Sequence, residues 1–189
     1  MQRKTWIIIA IIVGLAQLSI PLYMIWNKEQ TIRKGNSFLF KIVPIDPTHP
    51  LKGKYIILNY PTLNVISNSE INQNKPVYAI LNKKDNQEFQ IHSLSNIMPS
   101  HTSDFVKVDI NIWVLEENQK DSISYNINFP FTEFYMEESK APRAEEIYRT
   151  LNQDTSQTAY AVVSIYKGDA VVTDVVINGK SIVNISGQN

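Results

Sequence analysis

At 189 residues the chain has room for one domain and a membrane anchor. Its 18 basic and 18 acidic residues balance to a formal charge of zero, so it lacks the basic excess with which a nucleic-acid binder holds phosphates, and no nucleic acid is expected as a partner. It has no cysteine, which excludes thiolate metal sites, thiol nucleophiles and disulfides, and makes an oxidising compartment harmless to it.

Residues 6–26, WIIIAIIVGLAQLSIPLYMIW, carry no charge. As a helix this stretch reaches about 30 Å, the thickness of a bilayer's hydrocarbon core. Trp6 stands at one end and Tyr23 and Trp26 at the other, where rings that are part apolar and part polar favour the two interfaces. Pro21 is tolerated near the helix end. Gln17 and Ser19 bond locally in one reading and face a partner helix in the other. A cleaved signal peptide would need a shorter apolar core followed by small residues. Here the core runs on through Ile20, Leu22, Met24 and Ile25 with no A-x-A-like triplet, so the segment reads as an uncleaved signal anchor. Arg3 and Lys4 on one side and Lys28, Arg33 and Lys34 on the other nearly balance. The orientation adopted is N-terminus inside. This divides the chain into a cytoplasmic tip (1–5), a transmembrane anchor (6–26), a connector (27–36) and an extracytoplasmic β domain (37–189) of a single-pass cell-membrane protein in the cell envelope.

From residue 37 the apolar pattern has a period of two. Strands are predicted over 37–44, 53–60, 76–83, 88–94, 105–116, 121–129, 157–168 and 169–179, all rich in Val, Ile, Tyr and Phe. Val106, Val108, Ile110, Ile112 and Val114 alternate with Lys107, Asp109, Asn111 and Trp113, one face in and one mostly out. Hairpin turns are expected at Lys84–Asn86, at Asn118–Lys120 and at Gly168-Asp169. Between the strands, 139–154 reads as one short helix with Pro142 near its start and Asn152 near its stop. The fold class is therefore mainly β: an antiparallel barrel or sandwich with one short helix, preceded by a single transmembrane helix. Closure removes exposed strand edges.

The chain offers little for chemistry. His49, His92 and His101 lack the i, i+4 spacing of a helical zinc site, and no metal or cofactor is expected. There is no G-x-S-x-G and no phosphate loop. Ser37 and Ser93 stand nearest strand ends without the context of a Ser–Lys hydrolase. Glu133, Glu137, Glu138 and Asp104 supply oxygens for a cation, or form a solvated edge before the helix, the reading adopted. No catalytic residue is named.

The stretch PIDPTHPLKGKYIILNY, residues 44–60, stands apart. Pro44, Pro47 and Pro50 remove three backbone donors, Asp46 caps the turn, and Gly53 permits a close contact at the start of a strand that is apolar on both faces. Here the sequence resembles the GDYXXLXY family, in the form Gly53-Lys54-Tyr55-Ile56-Ile57-Leu58-Asn59-Tyr60. VPIDP (43–47), TEFYMEE (132–138) and GDAVVTDVVINGK (168–180) also fit the family's layout. Lys54 departs from it, and an ammonium cannot replace a catalytic or metal-binding carboxylate. The resemblance implies a membrane-anchored protein of unknown function found beside multi-pass membrane proteins. It also implies that Asp46, Pro47, Gly53, Tyr55, Leu58 and Tyr60 serve structure or partner binding. The expected function is a non-enzymatic binding or accessory subunit of a membrane partner. The alternative is an envelope hydrolase whose site is assembled only in the fold.

Overall fold

The computed structural model describes residues 2–43, 55–67, 70–84, 86–113, 123–137, 139–140, 143–144 and 158–186. Helix α1, Gln2–Lys34, is long and apolar enough to cross a membrane, and its apolar side chains, from Ile7 to Ile25, are exposed. Pro21 lies within it without ending it. Ser19 bonds locally, its hydroxyl donating to Ala16 O at 2.7 Å. The stretch read as a connector continues the same helix as far as Lys34.

The last two turns of α1 are built into the β domain. Asn27 Nδ2 donates to Asp169 Oδ2 at 2.6 Å, and Lys28 Nζ lies 3.6 Å from Asp169 Oδ1 and 3.4 Å from Ala170 O. One turn later Thr31 is buried, and its carbonyl accepts from the buried Ser164 hydroxyl at 2.7 Å and from Gly35 N at 3.0 Å. Gly35 has no room for a side chain: a Cβ there would stand 2.4 Å from Thr31 O and 2.8 Å from Ile165 O, both backbone atoms.

Beyond Gly35, β1 (Asn36–Ile42) joins β9 (Ala159–Tyr166), β10 (Asp169–Ile177) and β11 (Lys180–Ser181) in one antiparallel sheet ordered β1-β9-β10-β11. A second sheet, ordered β3-β7-β6-β4-β5, contains β3 (Leu63–Ser67), β4 (Val77–Lys83), β5 (Phe89–Ser95), β6 (Phe105–Trp113) and β7 (Ile123–Asn128). β2 (Tyr55–Ile57) pairs with β8 (Glu133–Tyr135) in a separate two-stranded sheet. Single bridges join the pieces: Leu39 to Glu88, Val43 to Asn59, and Val106 to Gly168. The result is a nearly closed, antiparallel, barrel-like body, as expected. Phe38, Phe40 and Ile42 of β1, Val106, Val108 and Ile110 of β6, and Ala161, Val163 and Ile165 of β9 face inward into one core. A short helix, α2 (Ile182–Ser186), follows β11 and buries Ile182.

Several details differ from expectation. The β9–β10 turn is Lys167-Gly168, one residue earlier than expected, with φ of 49° and 93°. Both central residues of this turn need positive φ, which leaves Asp169 free to open the next strand. Asn178 and Gly179, at 48° and 78°, make a second turn of this kind, so the expected 169–179 strand stops at Ile177 and a hairpin to β11 follows. Segments 63–67, outside the expected strands, and 133–135, read as part of a solvated edge, are strands because each lies beside a strand with an open edge. Ile112 is 49% exposed rather than inward, since β4 pairs with β6 no further than Val108 and leaves the far end of β6 open on that side. Of the strand expected over 53–60, residues 53–54 lie outside the described residues and 55–57 form a regular strand. It has one buried face, Ile56 and Leu58, while Asn59 is exposed. The hairpins β4–β5 and β6–β7 pair as expected, though the tip of the second lies outside the described residues. Of the helix expected over 139–154, residues 143–144 are helical, and 141–142 and 145–154 lie outside the described residues.

The joint gives a direct prediction. Gly35→Val should destabilise the protein by about 1–3 kcal/mol, because the new side chain meets backbone rather than a movable side chain. Thermal unfolding of the full-length protein in mild detergent measures it. An unchanged midpoint would mean that α1 is not seated on Ser164 and Ile165.

Candidate functional site

Phe40 projects inward from β1 into a cluster of rings. It stacks on Phe89 with centroids 4.0 Å apart and an interplanar angle of 16°, and meets Phe129 and Phe131 edge-on at 5.0 and 4.9 Å. Tyr60 closes the cluster, 6.0 Å from Phe40 and 5.6 Å from Phe131, and its hydroxyl donates to Phe131 O at 2.8 Å. Edge-to-face pairs of this kind set the positive ring edge against the negative ring face and add to the gain from burial. Leu58, two residues earlier, is buried, and its backbone N donates to Thr132 O at 2.7 Å. The motif's Leu58 and Tyr60 thus tie the end of β2 to the segment between β7 and β8.

On the outer side of this cluster lies a groove of about 360 Å³. β1 meets the residue just before β5 at the Leu39–Glu88 bridge, and residues of β1, β3 and β5 together line the groove. Tyr60, Phe89 and Ile91 supply apolar lining and Lys41, Lys84 and Glu88 charge. β3 and β5 are the two edges of the five-stranded sheet, so each has one side with no strand partner among the described residues. The site is concave, mostly apolar and sparsely charged, as binding clefts are. Among the described residues no histidine or serine lines it.

One rim contact is electrostatically distinct. Tyr160 donates to Glu88 Oε1 at 2.8 Å. The phenol is held above the ordinary tyrosine range, first because ionisation would break this bond, then by burial and by repulsion from the carboxylate.

The other candidate positions scatter. Asp46, Pro47 and Gly53 lie outside the described residues, as do His49 and Glu138. Tyr55 pairs with Tyr135 through the β2–β8 ladder. His92 is the extra residue of a β5 bulge and His101 lies in a loop; both are exposed. Ser37 and Ser93 sit on β1 and β5, neither bonded to a base. Asp104 accepts from Asn36 Nδ2 at 2.8 Å. The Glu137 carboxyl is held below its ordinary range, chiefly by a bond from Ser139 and then by Lys140. No group of three or more His, Asp or Glu gathers for a metal among the described residues. The groove itself had no sequence signal, because its walls are separated along the chain. Among the described residues of the motif, Tyr60 is the one that lines it.

A family model described as GDYXXLXY protein matches residues 17–175. No curated protein and no solved structure matches the chain.

Two measurements test this geometry. Tyr60→Phe, which removes the bond to Phe131 O, should cost about 1 kcal/mol in denaturant unfolding, and no loss would place that carbonyl in water. The raised pKa of Tyr160 favours the neutral phenol in the folded state. Its contribution is therefore complete below the unfolded tyrosine value, about pH 10, and is lost as pH rises through the higher folded value. Denaturation midpoints across the alkaline range should fall more steeply for the parent than for Tyr160→Phe. Parallel curves would show that the contact with Glu88 is not kept in solution.

Proposed function

The chain belongs to the GDYXXLXY family, and on that footing we propose that it is a membrane-anchored, non-enzymatic accessory protein whose groove at Tyr60 receives an extended segment of a membrane partner. The groove carries this reading: two strand edges face a common cleft with an apolar lining, which is the arrangement by which an added strand gains main-chain bonds from an edge and specificity from side-chain contacts. The helix long enough to span a bilayer supports the anchor. A multi-pass protein in the same cell membrane, with the β domain on its extracytoplasmic side, is the partner that fits. A hydrolase would need a nucleophile and base in contact at a cleft.

Asn64 and Gln90 line the groove and are exposed, so their replacement should leave stability within about 0.5 kcal/mol. A photo-crosslinking side chain at either position in the full-length protein should trap a membrane protein in native membranes. Asn64→Arg with Gln90→Arg should lower co-purification of that protein by about tenfold while the melt is unchanged. Crosslinks equally abundant from exposed positions on β6, or undiminished co-purification, would refute the groove as the partner site.

A further inference from the structure

Two adjoining clefts of about 350 and 310 Å³ open where α1 leaves the β domain, and Lys28, Pro130, Phe131 and Ala170 line both. Trp26 is 57% exposed and packs beside Tyr23, with ring centroids 6.4 Å apart. From Trp6 to Trp26 the helix rises about 30 Å, so Trp26 falls at the edge of a hydrocarbon core that α1 crosses. Lys28 lies about 3 Å further along the axis. The clefts that it lines therefore open at the level of the lipid headgroups.

In the cleft beside β6 the two charges unpaired among the described residues are arranged as a dipole. Lys107 and Asp109 both face outward from β6 on either side of the buried Val108. Residues two apart on a strand are about 6.6 Å apart along it and point to the same side, so the two charges can engage opposite ends of one zwitterion. Lys28 is already engaged by Asp169 and Ala170 O, so it acts as a wall. Lys107 and Asp109 have no ion pair among the described residues. Phe131, Pro130 and Ala170 give the cleft an apolar side.

We infer that this juxtamembrane cleft binds the headgroup of an ethanolamine phospholipid, with the phosphate at Lys107 and the ammonium at Asp109. A primary ammonium donates hydrogen bonds to a carboxylate. A choline cannot, and it is bound by cages of aromatic rings, whereas among the described residues Phe131 is the one aromatic residue lining the cleft beside Lys107 and Asp109. A glycerol headgroup leaves Asp109 without a cation. The inference rests on the membrane-anchored reading above.

The test uses the full-length protein reconstituted into vesicles of choline lipid doped with either ethanolamine or glycerol lipid. Flotation is followed by extraction in mild detergent and mass spectrometry of the lipid that stays bound. Ethanolamine lipid should be enriched over both others by about tenfold, the scale of one charge-assisted contact. Asp109→Asn should abolish the preference for ethanolamine over glycerol lipid. Lys107→Ala should weaken retention of both, with thermal midpoints unchanged. A protein that floats but retains lipids without headgroup preference, or whose Asp109→Asn variant keeps it, overturns the inference and leaves the anchor standing. A protein that does not float overturns the anchor itself. Free phosphoethanolamine that binds the detergent-solubilised protein as tightly as the lipid does would refute the bilayer as the ligand's source.

Discussion

The structure turns on the carbonyl of Thr31. It sits in a buried site and accepts two hydrogen bonds, one from the next turn of its own chain at Gly35 and one from Ser164 in β9. Bonds of this kind in a dry interior are stronger than in water and costly to leave unmade. Because Gly35 has no side chain, the backbone of the helix end reaches that of Ile165. The very next residue, Asn36, pairs with Ile165 and starts the β1–β9 register. One contact therefore sets both the angle at which α1 leaves and the register from which the first sheet grows.

With β1 fixed against β9, its other edge must be covered by something else, and it is covered only in part. It meets the residue just before β5 at Leu39–Glu88 and the end of β2 at Val43–Asn59. Between those points no ladder among the described residues closes the seam, and the aromatic cluster takes over: Phe40 from β1, Phe89 from β5, and Tyr60, Phe129 and Phe131 around them. Ring packing seals the core where backbone pairing does not. The groove is the outer side of that seal, so its shape follows from how the barrel fails to close.

Much of this body was legible in the sequence, because alternation is a local signal. The inward residues of β1, β6 and β9 each repeat every second position, and the structure buries them. The short elements were not. Leu63–Ser67 follows Pro61 and carries only Leu63, Val65 and Ile66, and it becomes a strand because β7 presents an edge to it. Phe134 is the single apolar anchor of β8 between exposed neighbours, so an acidic stretch looked like a solvated rim. Asn178-Gly179 is a strong local turn signal, and it was hidden by the apolar run before it. The resemblance lay in the motif, yet the groove joins residues of β1, β3 and β5 that only the fold brings together. Of the motif, Leu58 and Tyr60 show a tie between β2 and the β7–β8 segment that no spacing could reveal.

The helical joint bears on the proposed role. A flexible tether would let the domain search a volume, and each binding event would then lose that freedom. A helix seated on β9 and β10 instead fixes the height and rotation of the groove relative to any bilayer that α1 crosses. A partner held in the same bilayer meets a preoriented cleft, so less of the binding energy is lost to ordering. The groove lies on β1, β3 and β5 and the juxtamembrane cleft on α1, β6 and β10, with no lining residue in common. Substitutions in the two should act nearly additively where they share no contact, and should couple at Tyr60 and Phe131, which touch across the wall between the two sites. The joint couples them as well: a change that loosens Thr31 from Ser164 moves α1 against the hairpin, and with it both surfaces relative to the bilayer.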